Sequence, residues 1–241
     1  MSKKTWIIFV VVVVGLLAIL VAASRNTNPK VDVSNVDTNS IQAASASNGN
    51  IAEHVFGKVG SKVTLIEYGD FQCPGCGSVH PAVKKITEEY KDTVAFVFRN
   101  FPLPATTHPN AKAAAATVEA AGLQGKYWEM NNKVYESQSE WSNLTGSSRT
   151  DMFVSYAKAL GLDTAKFTTD MGSSAVNQKV SFDKAIGEKI NVDSTPTFYV
   201  NGVKLASEVI QDAQSSNGDK LRAILNEDLA KIGSTPATTT N

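Results

Sequence analysis

The chain has 241 residues, with 23 Lys+Arg against 23 Asp+Glu, 42% apolar residues, 8% aromatics and two cysteines. This composition excludes a disordered chain, a collagen-like repeat and a miniprotein stapled by several disulfides. Zero formal net charge without a Lys/Arg-rich block also removes nucleic acid as a partner, because that binding draws most of its affinity from neutralised phosphates.

After a short flank at residues 1–4, no charged residue occurs from Thr5 to Ser24. The run reads Trp6-Ile7-Ile8-Phe9, five valines, Gly15, then Leu16-Leu17-Ala18-Ile19-Leu20-Val21. At about 1.5 Å per residue, about 20 helical residues give roughly 30 Å, the thickness of a bilayer's hydrocarbon core. The expectation is one N-terminal transmembrane anchor over residues 5–24. Val21-Ala22-Ala23 would suit a signal peptidase, but the apolar run exceeds the usual h-region of about 7–15 residues, so the anchor is read as uncleaved. Lys3 and Lys4 ahead of it are matched by Arg25 and Lys30 behind it, so flanking charge alone sets no orientation. Residues 25–51 are rich in Asn, Ser, Thr, Asp and Ala with no apolar period, which predicts a flexible linker. Residues 52–233 make one domain, and 234–241 a disordered polar tail.

Within the domain, Val63-Thr64-Leu65-Ile66-Glu67-Tyr68 is β-branched, apolar and bounded by Gly60 and Gly69, a buried strand. Cys73-Pro74-Gly75-Cys76 then opens a helix to about Tyr90, with Cys73 at the N-cap and Pro74 at the first helical position, where its missing N–H costs nothing. Pro81 lies inside that helix and is expected to kink it. Val94 to Phe98 is a second buried strand, ended by Phe101-Pro102-Leu103-Pro104. A helical section follows: Asn110 to Ala121 closed by Gly122, Lys126 to Tyr135, Thr150 to Leu160 closed by Gly161, and a further run to about Ile190. Thr197 to Val200 and Val203 to Leu205 flank Asn201-Gly202, the pair that favours a type I′ hairpin turn. Leu221, Ile224, Leu225, Leu229 and Ile232 stripe one face of a final helix.

Two cysteines separated by two residues at a helix start are suited to reversible dithiol–disulfide chemistry. The unpaired N–H groups and partial positive charge of a helix N-terminus stabilise a thiolate, making Cys73 the nucleophile and Cys76 the resolving thiol. The same pair could be half of a zinc site, a buried disulfide or inert core thiols, and only His54, His80 and His108 could complete a metal's ligands. The reading takes no metal. His80, four residues after Cys76, is expected on a solvated helix face. The period of two puts Glu67 on the strand face of Val63 and Leu65, so its carboxylate is either buried or at the strand's end. If buried, it has a raised pKa and can exchange a proton with Cys76. Thr195-Pro196 precedes the hairpin, and sequence alone favours a trans bond there.

Taken together, Cys-Pro-Gly-Cys, Glu67 six residues before Cys73, Pro81 eight after it, and Thr195-Pro196 ahead of a hairpin resemble the thioredoxin superfamily. The helical section, with Phe101-Pro102-Leu103, His108-Pro109 and Gln124-Gly125-Lys126-Tyr127-Trp128-Glu129, resembles the DsbA-like thiol-disulfide oxidoreductases. The resemblance covers about residues 52–233. It implies an α/β, thioredoxin-like fold with a helical insertion at about 105–190, and a protein disulfide oxidoreductase acting outside the cytoplasm through Cys73 and Cys76. It implies that Glu67 assists proton transfer, that Thr195 and a cis-Pro196 bind the substrate chain, and that no cofactor is needed beyond the Cys73–Cys76 disulfide. The partners it implies are reduced or unfolded secreted proteins, a membrane redox partner, and the membrane itself through the N-terminal helix. Trp128 and His108 are read as packing or capping residues. One position departs from the strong oxidants of the family, which carry a histidine just before the second cysteine where this chain has Gly75. Without an imidazolium beside the thiolate, a reductase or isomerase on the same scaffold stays open beside the oxidase, as does a peptide-binding module without catalysis.

Overall fold

The structure, a computed structural model, describes residues 31–215 and 217–234 together with positions 6, 9, 12, 13 and 15. The chain divides into a unit of Met1–Val31 and a unit of Asp32–Asn241. Apart from those five positions, the expected span at 5–24 lies outside the described residues, as does most of the tail. Among the described residues, no helix is long and apolar enough to cross a membrane.

In chain order the second unit contains a 3-10 turn at Ala46–Asn48, β1 (Val55–Gly57), β2 (Thr64–Gly69), α1 (Pro74–Glu89) and β3 (Ala95–Asn100). The helical section follows as α2 (Ala111–Gly122), α3 (Tyr127–Glu136), α4 (Gln138–Trp141), α5 (Gly146–Ala159), α6 (Thr164–Met171) and α7 (Ser174–Lys189). The chain closes with β4 (Thr197–Val200), β5 (Val203–Lys204), α8 (Ser207–Ser215) and α9 (Asp219–Lys231). The run expected to reach Ile190 is two helices. Asp163 caps α6 by accepting from the N–H groups of Ala165 and Lys166, and Ser173 caps α7 by accepting from Val176 N–H. Strand β1 and helix α8 have too few periodic residues to stand out in the sequence. Helix α1 runs unbroken through Pro81.

The sheet order is β1-β3-β2-β4-β5, with β2 parallel to β3 and antiparallel to β4. Both edges of β2 are therefore hydrogen-bonded, which explains its near-continuous apolar sequence. Asn201 and Gly202 take positive φ (49° and 80°), as the hairpin turn requires. Asn201 also ties the start of β2, its side-chain oxygen accepting from Thr64 N–H at 2.9 Å.

Alternation along the strands makes two cores. Val63, Leu65, Phe96, Phe98, Phe198 and Val200 join one buried cluster with Val79, Val83 and Ile86 of α1 and Leu221, Leu225 and Leu229 of α9. The opposite face carries Tyr68 and Arg99. Tyr68 meets Phe101 and Tyr199 edge-on, and Gly187 of α7 lies so close that a Cβ there would come within 3.0 Å of Tyr68 and Phe101.

Residues 32–51, expected as part of a flexible linker, lie against this second face. Composition showed them unable to form a core of their own, but the domain supplies the partners. The buried Arg99 guanidinium donates to the carbonyls of Thr38 and Ser40, to Tyr68 Oη at 2.7 Å and to Glu53 Oε1 at 2.5 Å. Glu53 Oε2 in turn accepts from Gln42 N–H at 2.7 Å. Lys189 reaches the carbonyls of Val33, Ser34 and Val36 at 2.8–3.0 Å. Asn48 and Ile51 are buried.

The Arg99–Glu53 pair is fully buried on both sides, so removing one member leaves an uncompensated charge. Arg99→Met is expected to lower the unfolding free energy by about 3–5 kcal/mol in denaturant titration. The double variant Arg99→Met with Glu53→Met should lose less than Arg99→Met alone.

Candidate active site

β2 delivers the site in two steps. Leu65, on the α1 face, is buried, and Glu67 two residues later is also on that face and 4% exposed. It pairs with Phe98 on one side and Phe198 on the other, so the carboxyl lies within an apolar face rather than at the strand's solvent end. Burial, reinforced by the charge of Cys73, pushes its pKa up to about 8.

Between Gly69 and α1 the chain turns through Asp70-Phe71-Gln72. Asp70 organises the turn: Oδ1 accepts from Gln72 N–H at 2.7 Å, and Oδ2 accepts from Leu103 N–H at 2.9 Å and lies 2.7 Å from His108 Nδ1. His108 thus buttresses the loop, and Trp128 packs against Phe56 and Phe96, in keeping with the packing roles expected of both. Phe71 anchors the turn from below, its ring centroid 4.9 Å from Phe98 and 4.7 Å from Tyr135. From α4, Gln138 Nε2 donates to the carbonyls of Phe71 and Cys73 at 2.7 and 2.9 Å. Neither Asp70 nor Gln138 was picked out in the sequence. Asp70 is adjacent to the motif, but Gln138 lies 65 residues from Cys73 with no local signal.

Cys73 is the N-cap of α1 and Pro74 its first residue, as expected. Both cysteines are reduced. Cys73 Sγ lies 3.4 Å from the carbonyl oxygen of Thr195, to which it can donate only while protonated, and the Thr195–Pro196 bond is cis. Gly75 faces the same loop: a Cβ there would sit 3.5 Å from Pro196 Cδ, 3.6 Å from Cys73 Sγ and 3.6 Å from Gln214 Nε2. The structure therefore brings Cys73, Pro74, Gly75, Thr195 and Pro196 together, with Pro74 exposed, Gly75 and Thr195 half-buried, Cys73 and Pro196 buried, and Cys76 and Glu67 also buried.

The two sulfurs are electrostatically unlike. A hydrogen bond from the Cys76 thiol, then Thr195 and the N–H groups of Cys76 and Gly75, hold Cys73 at about 5 against the desolvation that opposes ionisation. Cys76 is fully buried and its pKa stands well above the ordinary thiol value, first from burial, then from donating to Cys73 and from the Glu67 and Cys73 charges. Asp70 N–H, at 3.5 Å from its sulfur, opposes that rise only in part. At neutral pH the site holds one thiolate and one thiol.

His80 departs from expectation. It is 8% exposed, because the helical spacing of four residues returns it to the inward face of Cys76, where its ring stacks on Tyr135 at 4.7 Å. Burial lowers its pKa to about 4, so it is neutral near pH 7. Among the described residues, no group of three or more His, Cys, Asp or Glu side chains is arranged to hold a metal ion.

The chain is similar to the Na(+)/H(+) antiporter NhaA 1 of Mycolicibacterium vanbaalenii, at 38% identity over 156 residues that cover 63% of this chain and 24% of that protein. The chain thus spans about a quarter of the length of the curated relatives it matches. Among solved structures it is similar to oxidised BdbD from Bacillus subtilis, with TM-score 0.61 and 21% identity over 79% of this chain and 97% of that one. Wolbachia pipientis alpha-DsbA1 also has TM-score 0.61 and 21% identity, covering 75% of this chain and 94% of that one. At such identities these two likenesses are of fold. A family model described as thioredoxin matches residues 49–227, well over half of the chain, and the chain therefore belongs to the thioredoxin family.

Proposed function

We propose that this protein is an extracytoplasmic thiol-disulfide oxidoreductase that passes the Cys73–Cys76 disulfide to reduced, translocated proteins. The observation that carries the reading is the split between the sulfurs, with Cys73 held at about 5 and Cys76 raised well above the ordinary thiol value. A substrate thiolate attacks Cys73 Sγ, forming a mixed disulfide and breaking the Cys73–Cys76 bond. Cys76 leaves as a thiolate and takes the proton of the Glu67 carboxyl, which is protonated below about pH 8. A second substrate thiolate attacks the mixed disulfide, forming the substrate's own disulfide and releasing Cys73 as the stable thiolate. Two electrons pass from substrate to enzyme.

A stabilised Cys73 thiolate favours the reduced enzyme and makes its disulfide more oxidising. This supports disulfide donation, with a membrane redox partner restoring the disulfide and no cofactor beyond the pair. Thr195 and Pro196, beside Cys73 Sγ, are where the substrate chain binds, the peptide pairing with the backbone of the half-buried Thr195 as an added strand. The uncharged segment 5–24 holds the domain at the membrane, outside the cytoplasm, where disulfides persist. Gly75 favours the second reading, a reductase or isomerase, because it brings no cation to the thiolate. The reduction potential separates the two. Equilibration with glutathione is expected to give a value at or above about −180 mV, whereas a value near about −270 mV would assign the reductase.

Cys73→Ser should abolish exchange with a two-cysteine peptide, and the ultraviolet absorbance of the wild-type thiolate should titrate near pH 5. Retained exchange in Cys73→Ser would refute the assignment.

Glu67→Gln should slow release of Cys76 by about a hundredfold or more and remove the ionisation near pH 8 from the rate profile. It should also flatten the dependence of stability on pH. The folded carboxyl is raised from 4.5 to about 8, so between those values the folded protein holds a proton that the unfolded chain has lost, and stability falls as pH rises through that window. In the oxidised protein, where Cys73 cannot ionise and add its opposite slope, denaturation of Glu67→Gln across the same window should lack that fall.

A further inference from the structure

Glu67 faces a cavity of about 160 Å³, enough for several water molecules. Its walls come from four elements: Phe56 of β1 and Phe96 of β3, His80, Val83, Lys84, Thr87 and Glu88 of α1, and Trp128, Asn131 and Asn132 of α3. The aromatic and valine side chains close its sides. Three of the lining residues carry a buried side-chain nitrogen with no hydrogen-bond partner: His80 Nε2, Trp128 Nε1 and Asn131 Nδ2. Buried polar atoms without partners are costly, and their gathering around one cavity that also holds a carboxyl supplies the several polar partners that ordered water needs.

Resting on the redox reading above, we propose that His80 passes protons between solvent and Glu67 through this cavity, acting as a positioning residue for the proton step rather than touching the sulfurs. Each reduction that protonates Cys76 strips Glu67 of one proton, which solvent must replace, and each reoxidation must release the Cys76 proton to solvent by the same carboxyl. A carboxyl this buried needs a polar path to exchange that proton with water. A neutral imidazole accepts a proton at one ring nitrogen and releases one from the other, so it ends each transfer neutral. His80 stays neutral through the range in which Glu67 titrates, because burial holds it near 4. The titratable groups around it are Glu67 from β2, Tyr135 and Glu136 from α3, and Cys76, Lys84 and Glu88 from its own helix, Glu88 being bonded to Lys91 at 2.7 Å. Lys84 is bonded to Glu136 at 2.5 Å, leaving the pair near neutral at the outer end of the cavity. Tyr135 is the competing carrier, since its buried hydroxyl also lacks a partner, but burial and the neighbouring sulfur and carboxyl charges push its ionisation far up.

The test is the multiple-turnover rate at which the full chain oxidises a two-cysteine peptide, with oxidised glutathione restoring the disulfide, on either side of pH 8, in dilute and concentrated buffer. Wild type is expected to be insensitive to buffer. His80→Ala should be slower by at least about tenfold in dilute buffer and recover on addition of free imidazole, while its reduction potential and Cys73 thiolate titration stay unchanged. His80→Gln keeps an N–H donor but cannot carry a proton through, so it should remain slow and become buffer-dependent; it also serves if His80→Ala does not fold. Either variant at the wild-type rate and insensitive to buffer would overturn the inference, as would loss of rate in Tyr135→Phe with none at His80. If the wild-type chain itself fails to exchange through Cys73, the redox reading falls first and takes this inference with it.

Discussion

The site depends on one constraint, that β2 is hydrogen-bonded along both edges at the centre of the sheet. A strand so held has no freedom of register, because a slip of one residue would turn Leu65 and Glu67 to the opposite face. With register fixed, Glu67 lies among Phe98 and Phe198, and the turn from Gly69 must place Cys73 at the start of α1. A carboxyl beneath a dithiol thus follows from sheet pairing and a short turn rather than from direct attraction between the groups.

The chemistry follows from a difference of environment along one helical turn. Cys73 sits where backbone N–H groups and the Cys76 thiol point at it, so ionisation is favoured even though the residue is mostly buried. Cys76, three residues on, has left the end of the helix for its interior, and burial beside Glu67 keeps it protonated. Two identical side chains thereby acquire opposite tendencies to ionise, and Asp70, Gln138 and His108 keep the turn between strand and helix in the shape that separates them.

The other face of the sheet does different work. There Arg99 and Glu53 pair under the polar segment at 32–51. Beside them Asn100 donates to both Glu119 and Asp183, and Lys179 bonds Asp183 at 2.5 Å. Buried charges of this kind are costly when broken and specify geometry more than they add stability. They join the N-terminal segment, the sheet, α2 and α7, on the opposite face of the sheet from the apolar one that packs on α1.

Much of this was legible along the chain because it rests on local rules. Short apolar runs bounded by turn residues marked β2 and β3, Pro74 after Cys73 marked the start of α1, and Asn201-Gly202 marked the hairpin, each through backbone geometry confined to a few residues. The polar segment misled, because composition tells whether a stretch can bury itself and not whether Arg99 and Lys189, far along the chain, will bind its carbonyls. His80 misled for a related reason: helical spacing placed it on the face of Cys76, but only the packing of Tyr135 showed that face to be closed there. The sequence by itself determined the dithiol, its helix start and the strand that carries Glu67. Tertiary structure alone decided the burial that raises Glu67, the meeting of Thr195 with Cys73 across the fold, and the cavity behind them, since each joins residues that no local pattern relates.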